Sequence, residues 1–266
     1  MGAVISIKQK NANRADQEAE SMIVRIGNHA FFCWVIFCGF CSVAYSTSFY
    51  LLTGGPRRDH SVYRKWNVRM AKTLFRSTGI KVETRYLTRL DTSQPYIFIS
   101  NHQSFLDIPI AALAIPCPYG YVAKIELARI PFLGSAIKYS PSVFVDRSNP
   151  RKAVESMLKA ADAIRGGTSV VMYPEGGRSY CRTLRPFKKG AFVFAIQAGV
   201  PIVPIIIKDA YRILNEREKS ATKGTVHVIV GKPISLDGLS RKDAPELMNR
   251  VASIMRRELE PETPLV

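Results

Sequence analysis

Two side chains in the segment Asn101-His102-Gln103-Ser104-Phe105-Leu106-Asp107 have the chemistry of a proton-transfer pair. An imidazole is the side chain best suited to take up a proton near neutral pH. A carboxylate beside it fixes one tautomer and stabilises the cation that forms. His102 and Asp107 are five positions apart, too far round a regular helix to face each other. The turn between them must bend to bring them together. Alone, the pair also fits a plainer arrangement, a helix N-cap near a surface acid.

A second segment, Val170-Val171-Met172-Tyr173-Pro174-Glu175-Gly176-Gly177-Arg178-Ser179, reads as a buried strand that stops at Pro174. Its glycines permit close backbone approach by a ligand. Arg178 offers a planar fork suited to phosphate. Arg182, Arg185, Lys188 and Lys189 follow before the next acid. The Gly pair alone is an ordinary turn beside a solvated basic surface. Three further segments read singly as strand and turn: Val122 to Gly134, Val143-Phe144-Val145-Asp146-Arg147, and Val200-Pro201-Ile202-Val203-Pro204-Ile205.

The elements that must position these residues follow from periodicity. Short apolar runs at 81–86, 95–99, 119–123, 142–146, 169–173, 202–207 and 225–231 read as strands. Helical patterns lie near 104–114, 150–165, 189–198 and 241–258. This alternation argues an α/β fold, a largely parallel central sheet flanked by helices. The segment containing His102 then sits where a strand feeds a helix, the usual place for a site in an open α/β sheet.

The N-terminal part has another character. Residues 1–25 form a polar lead-in, and Met1-Gly2-Ala3-Val4-Ile5-Ser6 fits the short N-myristoylation pattern. Residues 26–53 contain no Asp, Glu, Lys or Arg, and a helix of ~20 apolar residues spans a bilayer core. Gly54-Gly55-Pro56 is expected to end that helix. Residues 57–78 carry seven basic residues against Asp59, with Val62, Trp66, Met70 and Leu74 at helical spacing. That is a basic amphipathic helix of the kind that lies among headgroups. Together they make an N-terminal membrane-associated helical pair over residues 26–80, ahead of a catalytic domain over 81–266. The seven basic residues against four on the N-terminal side place that domain on the cytoplasmic face. The whole chain has 266 residues and a net charge of +17, which favours an anionic partner. Its five cysteines lack metal-ribbon spacing and read as reduced thiols.

In this order, the blocks resemble the glycerolipid acyltransferase family that includes the 1-acyl-glycerol-3-phosphate acyltransferases. The family's N-H-x4-D block is Asn101 to Asp107. Its aromatic-aliphatic-Asp-Arg run is similar to Phe144 to Arg147. Its aromatic-Pro-Glu-Gly-x-Arg-Ser block is matched by Tyr173 to Ser179, and its Pro-x-x-Pro strand by Pro201 to Pro204. The likeness is close over roughly residues 95–210. Gly177 stands where the family often has Thr, and Pro141-Ser142 where Gly is frequent; both bear on the acceptor pocket.

The resemblance implies an acyltransferase of phospholipid biosynthesis. It would move a fatty acyl group from an acyl thioester, carried by coenzyme A or acyl carrier protein, to the sn-2 hydroxyl of 1-acyl-glycerol-3-phosphate, making phosphatidic acid. His102 would be the general base and Asp107 its orienting acid. Lys124, Arg147 and Arg178 would hold the acceptor phosphate, and Glu175 and Gly176 would shape the acceptor side. No metal, no cofactor and no acyl-enzyme are expected. The alternative is a different lysolipid or an aminolipid acceptor. A serine hydrolase lacks its G-x-S-x-G elbow here, and no H-E-x-x-H appears. A non-enzymatic basic membrane-surface protein is the remote alternative; a nucleic-acid partner finds no zinc-finger, helix-turn-helix or RNP-like signature.

Overall fold

Strand β2 (Ile97–Ser100) is buried at every residue, and so is most of β6 (Ile202–Lys208). Continuous apolar runs of this kind belong to central strands covered on both faces. The computed structural model describes residues 2–52, 60–146, 156–157, 160–162 and 164–259. Among them, seven strands form one sheet in the order β1-β9-β6-β2-β5-β3-β4. The others are β1 (Lys81–Tyr86), β3 (Tyr119–Lys124), β4 (Val143–Val145), β5 (Ser169–Met172) and β9 (Thr225–Val230). Neighbours run parallel except β6 against β9.

Alternation along each strand sends side chains to two cores. Phe98, Val203, Ile205 and Ile207 enter the core covered by α2 (His60–Thr78) and α3 (Asp107–Ala114). Ile97, Ile99, Ile202 and Ile206 enter the opposite core, under α5 (Lys189–Ala198) and the C-terminal helix Ala244–Leu259. At ~1.5–3 kcal/mol for each fully buried aliphatic or aromatic side chain, these central strands anchor the loops at their ends.

The helix α1 (Gly2–Leu52) is continuous and carries both the polar lead-in and the apolar stretch. Its segment Met22–Phe49 has mean hydropathy 1.7 and is long and apolar enough to cross a membrane; only 12% of its most apolar window is buried. It lies against α2, against α4 (Leu133–Tyr139) and against β8 (Ser220–Ala221). Gly54-Gly55-Pro56 lies outside the described residues, as does most of the helix expected over 150–165.

Some boundaries differ from the periodicity. The helix expected from 104 starts at Asp107, because residues 103–106 are taken up in the turn that folds His102 onto Asp107. The helix expected from 241 opens with a 3-10 turn at Arg241–Asp243, capped by Ser240. Other elements escaped the pattern: a 3-10 turn at Ile125–Arg129, α4, the one-turn helix Ala210–Ile213, and the hairpin of β7 (Leu214–Asn215) with β8.

Candidate active site

The site is built where β2 ends. Asn101, 1% exposed, extends β2 with its side chain: its Nδ2 donates to the Ile207 carbonyl and its Oδ1 accepts the Ile207 N–H, both at 2.8 Å. The amide thus adds a rung to the β2–β6 ladder and fixes where the chain leaves the sheet. Gln103 reaches the other way, its Oε1 accepting the Ala210 N–H at 3.1 Å.

Between these two anchors the chain turns back on itself. His102 Nδ1 lies 2.6 Å from Asp107 Oδ2. The same oxygen accepts the N–H groups of Gln103 at 2.6 Å and Ser104 at 3.1 Å. Asp107 is fully buried. This arrangement assigns the imidazole proton to Nδ1 and leaves Nε2 as the acceptor. Nε2 makes no hydrogen bond among the described residues, and His102 lines a cavity. The Tyr173 ring stacks on the imidazole at 4.2 Å between centroids. Burial, then the charge of Asp107, hold the Tyr173 phenol well above its ordinary value of 10.0. It is therefore a neutral wall for the imidazole.

Among the described residues Glu175 forms no ion pair, and it is not one of those that line the cavity. Its Oε1 accepts the His102 N–H at 2.8 Å, and its Oε2 accepts the Arg185 N–H at 3.0 Å. Burial raises its pKa, and those two hydrogen bonds oppose the rise. Glu175 thus ties the loop after β5 to the turn after β2; Ser179 N–H adds a bond to the His102 carbonyl at 2.8 Å. Gly176 has φ +74, and a Cβ there would lie 2.5 Å from the Lys188 ammonium. The left-handed backbone at this position favours glycine, and the Lys188 side chain crosses over it.

Arg178 lies against the turn that carries His102. Its guanidinium carbon stands 3.8 Å over the Phe105 ring centroid, and its Nη1 is 3.7 Å from Glu216 Oε2. Lys124, exposed at the end of β3, lines the same cavity as His102 and Arg178. Arg147 lies outside the described residues. The structure thus gathers His102, Asp107, Glu175, Gly176 and Arg178 at one end of the sheet, with Lys124 on the cavity wall. Sequence reasoning missed Glu216. It stands in Asn215-Glu216-Arg217-Glu218, where nothing in the spacing separates it from Glu218.

The cavity has a volume of about 1380 Å³. Away from His102 its walls are apolar, supplied by Ile36, Phe40 and Val43 of α1, Met70 of α2, and Ile130 and Phe132 before α4. The Thr47 hydroxyl donates to the Phe132 carbonyl at 3.0 Å, and Phe40 meets Phe132 edge-on.

The sequence model of the Acyltransferase family matches residues 80–208. The chain is 35% identical to 1-acyl-sn-glycerol-3-phosphate acyltransferase alpha of Homo sapiens over 66% of its length and 63% of that protein's. It thus spans less than two thirds of the alpha relative. It is 32% identical to the beta protein of Homo sapiens over 83% of this chain and 80% of that one. The crystal structure of the 1-acyl-sn-glycerophosphate (LPA) acyltransferase PlsC from Thermotoga maritima superposes with TM-score 0.74 and 25% identity, covering 88% of this chain and 95% of that one. A paired histidine and aspartate at the end of a buried strand, the order of the blocks and these extended matches agree: the chain belongs to the acyltransferase family of the 1-acyl-sn-glycerol-3-phosphate acyltransferases.

Proposed function

We propose that this chain transfers a fatty acyl group from an acyl thioester to the sn-2 hydroxyl of 1-acyl-glycerol-3-phosphate, yielding phosphatidic acid. The observation that carries the reading is the His102 Nδ1 to Asp107 Oδ2 contact of 2.6 Å, which leaves Nε2 as the acceptor beside an apolar cavity. His102 Nε2 takes the proton of the acceptor hydroxyl. The oxygen attacks the thioester carbonyl carbon, forming the new C–O bond. Collapse of the tetrahedral intermediate breaks the C–S bond, and the imidazolium returns its proton to the departing thiolate. Asp107 holds the tautomer and balances the cation. Positioned proton transfer of this kind contributes about 10²–10⁴-fold.

Arg178 and Lys124, with Arg147, hold the acceptor phosphate; a guanidinium fork matches its oxygens. Gly176, crossed by the Lys188 side chain, shapes the acceptor side of the loop. The apolar cavity takes acyl chain. The donor thiol is coenzyme A or acyl carrier protein. α1 inserts in a bilayer with α2 at the headgroups, and the catalytic domain stands on the cytoplasmic face.

The test is acyl transfer by the purified protein in detergent, with lysophosphatidate and other lysolipids as acceptors and both thioester carriers as donors. Stoichiometric phosphatidic acid and free thiol are expected with lysophosphatidate. Faster acylation of another lysolipid or an aminolipid would replace the acceptor assignment.

A further inference from the structure

Glu216 sits in the turn of the β7–β8 hairpin beside Arg178, and its side chain is 8% exposed. A carboxylate so buried is costly unless hydrogen-bonded and paired. Its Oε1 accepts the N–H of Phe105 and lies 3.0 Å from the Ser104 hydroxyl. Both residues belong to the turn between His102 and Asp107. Its Oε2 makes no hydrogen bond among the described residues and faces Arg178 Nη1 at 3.7 Å. The hairpin holds this carboxylate in place: Asn215 Oδ1 accepts the N–H groups of Arg217 at 3.1 Å and Glu218 at 3.2 Å.

Arg178 is thereby gripped from two sides. The Phe105 ring lies under its plane and Glu216 draws one end. Nη1 is buried and makes no hydrogen bond among the described residues, so the carboxylate balances the charge of the guanidinium without engaging its hydrogen-bond donors. The same carboxylate joins the cation to the backbone of the turn that carries His102. Any shift of Arg178 relative to the base is therefore resisted through one side chain.

We propose that Glu216 is a positioning residue for the acceptor phosphate, holding Arg178 at a fixed place relative to His102. This rests on the reading of Arg178 as a phosphate ligand. Without the negative charge, Arg178 spreads over several rotamers and meets the phosphate less often in the right geometry.

The test uses Glu216→Gln in the full-length protein, because a glutamine keeps an oxygen for the Phe105 N–H. Binding of lysophosphatidate and of 1-monoacylglycerol, which has no phosphate, is measured in detergent for wild type, Glu216→Gln, Arg178→Ala and the double variant. The expected result is a roughly tenfold weaker Kd for lysophosphatidate, the scale of one charged contact, with monoacylglycerol binding unchanged. In the Arg178→Ala background, Glu216→Gln should add nothing. In turnover, the lysophosphatidate KM should rise while the thioester KM holds. Equal lysophosphatidate binding by wild type and Glu216→Gln, equal losses for both lipids, or an additive loss in the double variant each overturn the proposal. Wild-type turnover, recorded in parallel, judges the acyl-transfer reading on its own.

Discussion

Nδ1 of His102 lies 2.6 Å from Oδ2 of Asp107, and that one oxygen also gathers the N–H groups of Gln103 and Ser104. The carboxylate therefore does two jobs: it shapes the turn and orients the imidazole that we propose as the base. His102→Ala removes the base and leaves the turn's backbone bonds intact. We predict a loss of about 10²–10⁴-fold in kcat with the protein still folded. Asp107→Asn should cost activity on a similar scale and also lower the melting temperature, since a neutral amide oxygen is a weaker acceptor than a carboxylate for the three groups that converge on Oδ2. Single-turnover assays with circular dichroism on the same samples check both; normal turnover by His102→Ala would sink the assignment.

Glu175 spans the His102 and Arg185 N–H groups with its two oxygens. In Glu175→Gln one of these N–H groups meets an NH₂. Leaving a buried donor unmet costs about 1–3 kcal/mol, so denaturant midpoints and activity should both fall. A pH dependence follows as well. Burial raises the folded-state pKa of Glu175 above its ordinary 4.5. Between those two values the folded state holds more protons than the unfolded one, so this group's contribution to stability is present below the ordinary value and lost as pH rises through the raised one. The stability of wild type relative to Glu175→Gln should therefore decline with rising pH across that window. A difference that grows with pH would contradict the sign.

The Arg178 guanidinium carbon stands 3.8 Å from the Phe105 ring centroid, and Arg178 lines the cavity that His102 also lines. Arg178→Ala should raise the KM for phosphate-bearing acceptors about tenfold, one charged contact's worth, and leave the thioester KM unchanged. Arg178→Lys should recover only part, because an ammonium lacks the planar fork. Unchanged kinetics across phosphate-bearing acceptors would remove Arg178 from the phosphate site.

Ile26 and Phe37 are exposed on α1, at 62% and 58%. A charge near the middle of a bilayer-inserted helix costs about 2.5–3.5 kcal/mol on insertion scales. Phe37→Asp, near the middle of the apolar stretch Met22–Phe49, should reduce the fraction of protein floating with liposomes, while turnover of detergent-dispersed substrate persists. Undiminished flotation would argue against insertion of this helix.

The sheet was largely legible in the sequence because its central strands are continuous apolar runs, such as Ile97-Phe98-Ile99 and Ile202 to Ile207. The pairing of β6 against β9 was not, since an apolar run carries no direction. The His102–Asp107 pair was legible as residues but not as geometry, because the bend depends on bonds from Gln103 and Ser104. Glu175 was visible as an acid, yet its partners are backbone groups, which carry no residue signature. Glu216 was hidden because its neighbours in space, Phe105 and Arg178, are far away in the chain. The helix α4 was missed because Leu133 to Tyr139 is too short for a helical period to emerge.

α1 is tied to the rest of the molecule at two heights. The Trp34 indole donates to the Ser77 carbonyl, and the Thr47 hydroxyl donates to the Phe132 carbonyl. Thirteen residues separate these ties, about 20 Å along a helix at 1.5 Å per residue. A rod pinned at two points cannot slide or swivel without carrying the body with it. With α1 inserted in a bilayer as proposed, the helix would act as a keel: its draught would fix how far the turn bearing His102 stands above the hydrocarbon, and a thicker or thinner leaflet would raise or lower His102 as one piece with it.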